Sequence, residues 1–340
     1  MKDRRELMND DRSRAYAVKP PQVGQTIAAA LRIWESGLSW KAVRDQLHRR
    51  LVVIDGVTCQ NEARRLHLGE VVEVVSRPRP APPKASTICV RFLDGSIAVV
   101  EKPAGILTER PAADFGPTKK GLDQTPSLEE LLPKVLREYE GRSAEGSWIQ
   151  IVHRLDRDAS GLLVIARTTH AHDELVQQFA ARTPSRVYGA IVPGRVEAQT
   201  IRSHILRDRG DGKRGSLEFL LANNPGSAHA DVYKHEAQEA ITHVTPLASR
   251  RGHTWLECRL ETGRTNQIRI HLAELGHPIL GDVKYGSLAA ASKTNRLALH
   301  AVELRFQHPA TGDEMHFVSE WPSELQRLWD ELPMPHRRWQ

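Results

Sequence analysis

Residues 148–168 read WIQIVHRLDRDASGLLVIART. Two apolar runs, 148–152 and 162–166, have the length and β-branched content of buried strands. Between them His153, Arg154, Asp156, Arg157 and Asp158 place five ionisable groups in six positions, followed by Ala159-Ser160-Gly161. A plain connection needs only a turn. This many charges between buried strands marks a loop at a strand end, where binding and catalytic side chains sit on a rigid scaffold. Asp156 stands out, with Leu155 to anchor the loop beside it and arginines close by. A carboxylate so placed suits nucleophilic attack or base catalysis. A lone Asp beside Arg is more often a structural ion pair, so the reading turns on what surrounds the stretch.

Upstream, residues 97–100 (IAVV) read as a buried strand entering Glu101-Lys102-Pro103-Ala104-Gly105, a turn by its own chemistry. Residues 107–126 are poor in apolar positions and read as a long loop. Ser127 with Glu130 forms a capping box opening a helix through about Tyr139, although Pro133 sits awkwardly deep in it. Downstream, a helix carrying Leu175 and Phe179 leads to RVYGAIVPG (186–194), then to ETGRTNQIRIHLAELGHPILGDVKYG (261–286) and RLALHAVELRFQHPATGDEMHF (296–317). In the long third motif Thr265 is a fair N-cap, Ile268, Leu272 and Leu275 follow a helical spacing, and Gly276 can end the helix. The alternation of Ile268, Ile270 and Leu272 suits a strand as well; helix is preferred, with Arg269 off the apolar stripe.

Taken in order, these motifs resemble those of the RluA-like pseudouridine synthases, which modify large-subunit ribosomal RNA and tRNA. The resemblance spans about residues 90–322. It implies an α+β domain with a mixed, mostly antiparallel central sheet flanked by helices and loops. It also implies an isomerase acting on RNA, rRNA foremost and tRNA as an alternative, with neither cofactor nor metal. In that reaction the base turns over and C5 of uracil replaces N1 at C1′ of the sugar. Asp156 takes the place of the family's catalytic aspartate, Tyr188 of its active-site tyrosine, and Arg269 of the arginine that pairs with the aspartate. Asp156 either attacks C1′ or takes a proton from C2′. The target base must leave its stack, and Arg154 is expected to fill the vacated space. Lys102 and Asn266 are expected at the RNA. Asn266 stands for a usual His, Ala159 for a common Thr and Arg186 for a common Lys. Residues 203–236 match no motif and read as an RNA-facing insertion or a variable loop.

Ahead of this body lies Ser76-Arg77-Pro78-Arg79-Pro80-Ala81-Pro82-Pro83-Lys84, a proline-stiffened spacer. Residues 27–34 and 40–49 before it read as helices. In the second, Trp40, Val43 and Leu47 form a packing face, and Lys41, Arg44 and His48 a basic one. Short strands flank an Asp55-Gly56 turn. This unit resembles the S-four-like (alpha-L) RNA-binding domain, which implies that Lys41 and Arg44 approach phosphates. The division expected is a charged arm 1–22, RNA-binding domain 23–76, linker 77–86, catalytic domain 87–325 and tail 326–340.

Of 340 residues, 48 are Lys or Arg and 42 Asp or Glu. Residues 1–80 hold 15 of the former and 10 of the latter, so most of the net +6 lies at the front, as suits a polyanion partner. Three scattered cysteines without a C-x-x-C pair speak against a disulfide framework and a Cys-rich zinc site, and no H-E-x-x-H motif supports a metal hydrolase. A charged first twenty residues and no long apolar run lead to the expectation of a cytoplasmic protein without a membrane partner, and of a monomer.

Overall fold

The computed structural model describes residues 13–110, 125–141, 148–208, 213–223, 235–286, 294 and 296–332. Most of the charged arm, most of the 107–126 loop, and parts of the 203–236 stretch and the tail lie outside the described residues. Those described group into two compact units: one comprises those within Met1–Ala81 and Gly281–Arg296 together with Thr125, the other Pro82–Arg110, Pro126–Leu280 and Leu297 onward.

The first unit holds β1 (Arg14–Ala17), α1 (Ile27–Trp34), α2 (Trp40–His48), β2 (Val52–Ile54), β3 (Val57–Thr58) and β4 (Val71–Val74). Thr26 and Ser39 cap the two helices through their hydroxyls. The strands form an antiparallel sheet in the order β1-β4-β2-β3. Asp55 and Gly56, both at positive φ, turn the chain between β2 and β3, as a two-residue hairpin requires. Ile27, Leu31, Val43, Leu47, Val52 and Val72 make its core. Two expectations change. The end of the charged arm is a sheet edge, because β1 alternates half-buried and exposed side chains against β4. Trp40 is 46% exposed: only Val43 and Leu47 pack, and Arg32 lies over the indole at 4.5 Å.

The second unit runs β5 (Cys89–Leu93), β6 (Ile97–Lys102), α3 (Leu128–Glu140), β7 (Gln150–Ile151), β8 (Ser160–Ala166), α4 (Thr169–Ala180), β9 (Ser185–Pro193), β10 (Gln199–Leu206), β11 (Gly215–Ser216), α5 (Leu217–Asn223), β12 (Gln238–Arg250), β13 (His253–Leu260), α6 (Gln267–Glu274), β14 (Leu299–Gln307), β15 (Glu314–Val318) and α7 (Ser323–Glu331). One sheet orders these strands β11-β10-β12-β13-β9-β14-β8-β6-β5, with β15 on β14 and β7 on β8. Every described pairing in it is antiparallel except β14 with β8. The fold is thus α+β with a large, mostly antiparallel sheet, as the motifs implied.

Strand β8 is buried along its whole length, so its two faces feed two cores. Leu163 and Ile165 join Ala98 and Val100 under α3, α6 and α7. Leu162 and Val164 join Ile97 and Val99 against Ala171 and Leu175 of α4. Full burial of each such side chain contributes about 1.5–3 kcal/mol. Gly161 permits the parallel pairing: at φ +116° it opposes Ala301, and a Cβ there would stand 2.3 Å from the Ala301 carbonyl oxygen. Beside it, Ser160 Oγ lies 2.7 Å from His300 Nδ1, whose other nitrogen meets Ser319 Oγ at 2.9 Å.

Helix α3 is unbroken through Pro133, with the Ser127–Glu130 capping box at one end and Gly141 in the left-handed conformation at the other. The 148–152 run yields only a two-residue strand. The third motif is a helix, as preferred, but it starts one residue late: Asn266 at φ +60° takes the cap position in place of Thr265. Helix α7 carries Leu325 and Trp329 into the core.

Candidate active site

Asp156 follows β7 in a short irregular segment whose backbone is anchored on both sides. Before it, the buried Thr108 hydroxyl donates to the Leu155 carbonyl (2.9 Å) and accepts from the Leu155 N–H (3.1 Å). After it, the Arg157 carbonyl accepts from Lys102 Nζ (2.9 Å) and the Gly105 N–H (2.8 Å). The Asp156 carbonyl receives the Ala159 N–H. Both neighbours of Asp156 are thus tied to the turn after β6, leaving its side chain as the projecting group.

Lys102 is 1% exposed. Its ammonium donates to the carbonyls of Pro103 (3.0 Å), Ile106 (2.9 Å) and Arg157, which satisfies three N–H donors. The expectation that Lys102 faces RNA is therefore corrected: it is a buried fastener of the Asp156 loop. The signal was in the sequence, since Lys102 shares strand parity with Ala98 and Val100, both core residues. Thr108 was missed because a threonine in a loop looks like any other until its partner is known.

Arg269 stands on the third residue of α6, nearly buried, with Nη1 3.4 Å from Asp156 Oδ2 and 3.2 Å from Asn266 Oδ1. Asn266 makes no side-chain cap to its helix; its amide oxygen goes to the arginine instead. Asn is among the few side chains that accept the left-handed conformation readily. Tyr188 lies on β9, paired across to Cys258 and Ala301. Burial, the largest effect, pushes the phenol above its ordinary range; the cation of Arg186 opposes this and the charge of Asp156 adds to it. Asp156 and Asn266 thus both meet Arg269, and the charge of Asp156 reaches the phenol of Tyr188; Asn266, expected at the RNA, has its amide oxygen on the arginine.

The remaining expected residues sit differently. Arg154 is more than half exposed and meets Glu109 at 3.4 Å. His153 is half-buried, its Nε2 accepting from the Val164 N–H at 3.1 Å and its ring stacked on Phe179 at 4.4 Å. Burial and the nearby Arg186 cation push its pKa down to about 3, so it is a neutral prop for the loop. Lys41 and Arg44 lie exposed on α2 of the first unit, where Arg44 pairs with Glu62 at 3.0 Å. Among the described residues no cluster of metal-binding side chains occurs, and no helix is long and apolar enough to cross a membrane.

Comparison with known proteins agrees with the fold. Residues 96–274 match the RNA pseudouridylate synthase family. A ribosomal large subunit pseudouridine synthase D of Vibrio vulnificus is 32% identical over 93% of this chain and 93% of its own length. Its namesake from Zymomonas mobilis is 33% identical over 76% and 78%. Among solved structures, human RNA pseudouridylate synthase domain containing 4 shares the fold with a TM-score of 0.54 at 22% identity, covering 72% of this chain and 94% of its own. The matched stretch carries Asp156, Tyr188 and Arg269 together, and the chain belongs to the RNA pseudouridylate synthase family of isomerases.

Proposed function

We propose that this protein converts specific uridines of ribosomal large-subunit RNA to pseudouridine, with Asp156 as the carboxylate that acts on the sugar. The observation that carries the assignment is the Asp156–Arg269 pair on a loop anchored on either side. The ribosomal substrate rests on the relatives, named for that RNA and similar over most of their length. Transfer RNA is the alternative substrate.

Isomerisation breaks the N1–C1′ bond, forms C5–C1′ and releases the proton from C5. Asp156 either attacks C1′ or removes the C2′ proton, and Arg269 holds its carboxylate toward the sugar in both cases. Tyr188 enters as a neutral phenol, since burial favours its protonated form. It offers a face on which the uracil ring stacks. A neutral phenol takes the C5 proton only while passing its own on, and Asp156 is the carboxylate whose charge reaches it. The base must be turned out of its stack first, and Arg154, an exposed residue of the loop, fills the gap that the base leaves.

The test is tritium release from RNA labelled at C5 of uridine, drawn from cells lacking the gene so that target sites are unmodified. Wild type should release tritium and Asp156→Asn none, with RNA affinity within a few-fold. Turnover by Asp156→Asn would refute its role. A folded, RNA-binding wild type that releases nothing would point to a ribosome-assembly factor on the same fold.

A further inference from the structure

Arg186 precedes Tyr188 by two residues on β9, so the two share a face of the sheet at a spacing of about 7 Å. Several half-buried or buried arginines of this unit are held by carboxylates: Arg269 by Asp156, Arg167 by Glu140 and Arg110 by Glu130. Arg186 is not. Among the described residues it has no hydrogen bond and no carboxylate, and its Nε is buried without a partner. Its guanidinium rests over the Phe179 ring at 5.6 Å, which gives a partial compensation only. Arg186 is half-buried, and a buried N–H donor left without an acceptor is costly.

The surroundings are shaped around that cation. A Cβ at Gly263 would stand 2.5 Å from Arg186 Nη1, so the absence of a side chain there leaves the guanidinium its room. Gly263 belongs to the turn that leads into Asn266 and Arg269. The electrostatic reach of Arg186 includes the phenol of Tyr188 and the neutral imidazole of His153. What such a fork lacks is an anion with two acceptor oxygens. The substrate supplies one: a uracil stacked at Tyr188 carries its own flanking phosphates at about one nucleotide's length.

We propose that Arg186 is a phosphate-binding residue that takes the phosphodiester next to the turned-out uridine and so fixes the nucleotide's register over Tyr188. The proposal rests on the functional reading above and names the part of the substrate that this residue holds.

Its test uses an RNA fragment carrying the uridine mapped from the tritium assay, with KM and kcat measured over a range of salt for wild type, Arg186→Gln and Arg186→Lys. Loss of one charge-assisted contact should raise KM about tenfold or more in Arg186→Gln, and the salt slope should fall by about one. The pH profile of kcat should not move, and Arg186→Lys should recover most of the KM. Unchanged KM and salt slope in folded Arg186→Gln would overturn the proposal. So would a loss confined to kcat with a displaced pH profile, which would make Arg186 a cation that tunes Tyr188. Should the variants not fold, wild type alone decides. A single methylphosphonate on the 5′ or 3′ side of the uridine should raise KM about tenfold at one of the two positions, and no effect at either would sink the idea. If wild type turns over no RNA at all, this proposal falls together with the functional reading; if it turns over and only the Arg186 results fail, the reading stands without it.

Discussion

The end of β6 and the exposed face of α2 each carry a lysine, and the two lysines are used in opposite ways. Lys102 is sealed among three carbonyls, whereas Lys41 stands in solvent beside Arg44. The first spends its charge inside the protein to hold a loop; the second leaves its charge for whatever approaches. A basic residue near an active site is thus no guide to substrate contact until its donors are accounted for.

The sharpest way to break this contrast is to remove each charge in turn. Lys102→Met strips the donor from three carbonyls, that of Ile106 fully buried, and should cost about 3 kcal/mol in urea unfolding, with turnover falling because Asp156 loses one anchor. Lys41→Met should change stability by no more than about 0.5 kcal/mol. Equal losses from the two would erase the distinction.

A second test concerns buried basic groups that the fold keeps neutral. His271, 1% exposed, lies between Ser203 Oγ (2.8 Å) and Thr242 Oγ1 (2.9 Å), and burial pushes its pKa down to about 4. The unfolded chain, titrating near 6.5, binds the proton more readily. Stability linked to His271 is therefore intact above pH 6.5 and is lost as pH falls through 4, by up to roughly 3 kcal/mol. Thermal melts between pH 7 and 4 should show a steeper decline for wild type than for His271→Gln. Parallel curves would show that the imidazole is not the titrating group.

The smallest effect belongs to the exposed helix. Lys41→Gln with Arg44→Gln should leave kcat unchanged and lower the salt slope of RNA binding by between one and two. The ion pair of Arg44 with Glu62, itself more than half exposed, offers little competition to a phosphate. An unaltered slope would remove α2 from the RNA-binding surface.

Much of this was legible beforehand. The buried runs of β6 and β8, the charged loop between sheet elements, the capping box of α3 and the helix of the third motif all follow from short-range pattern. The grouping of Asp156, Tyr188 and Arg269 came from motif order, because a pairing 113 residues apart in sequence leaves no local mark. What stayed hidden were the long-range uses of ordinary side chains. Thr108 grips a backbone 47 residues away, and Arg186 is notable for a partner it lacks. Trp40 misled because helical spacing marks a shared face and not whether anything covers it. Asn266 read as an RNA contact, but positive φ and an arginine beside it give its side chain another use.

The anchors on either side of Asp156 grip main chain, and this decides which changes the loop tolerates. Any residue at position 157 presents the same carbonyl to Lys102 and Gly105, so this clamp by itself does not dictate which side chain stands there. A proline at 105 or 155 would delete an N–H that the clamp uses and could not be accommodated in the same way. The architecture thereby separates two kinds of inheritance: a loop shape that is fixed by peptide groups, and a recognition surface that evolution can rewrite on top of it.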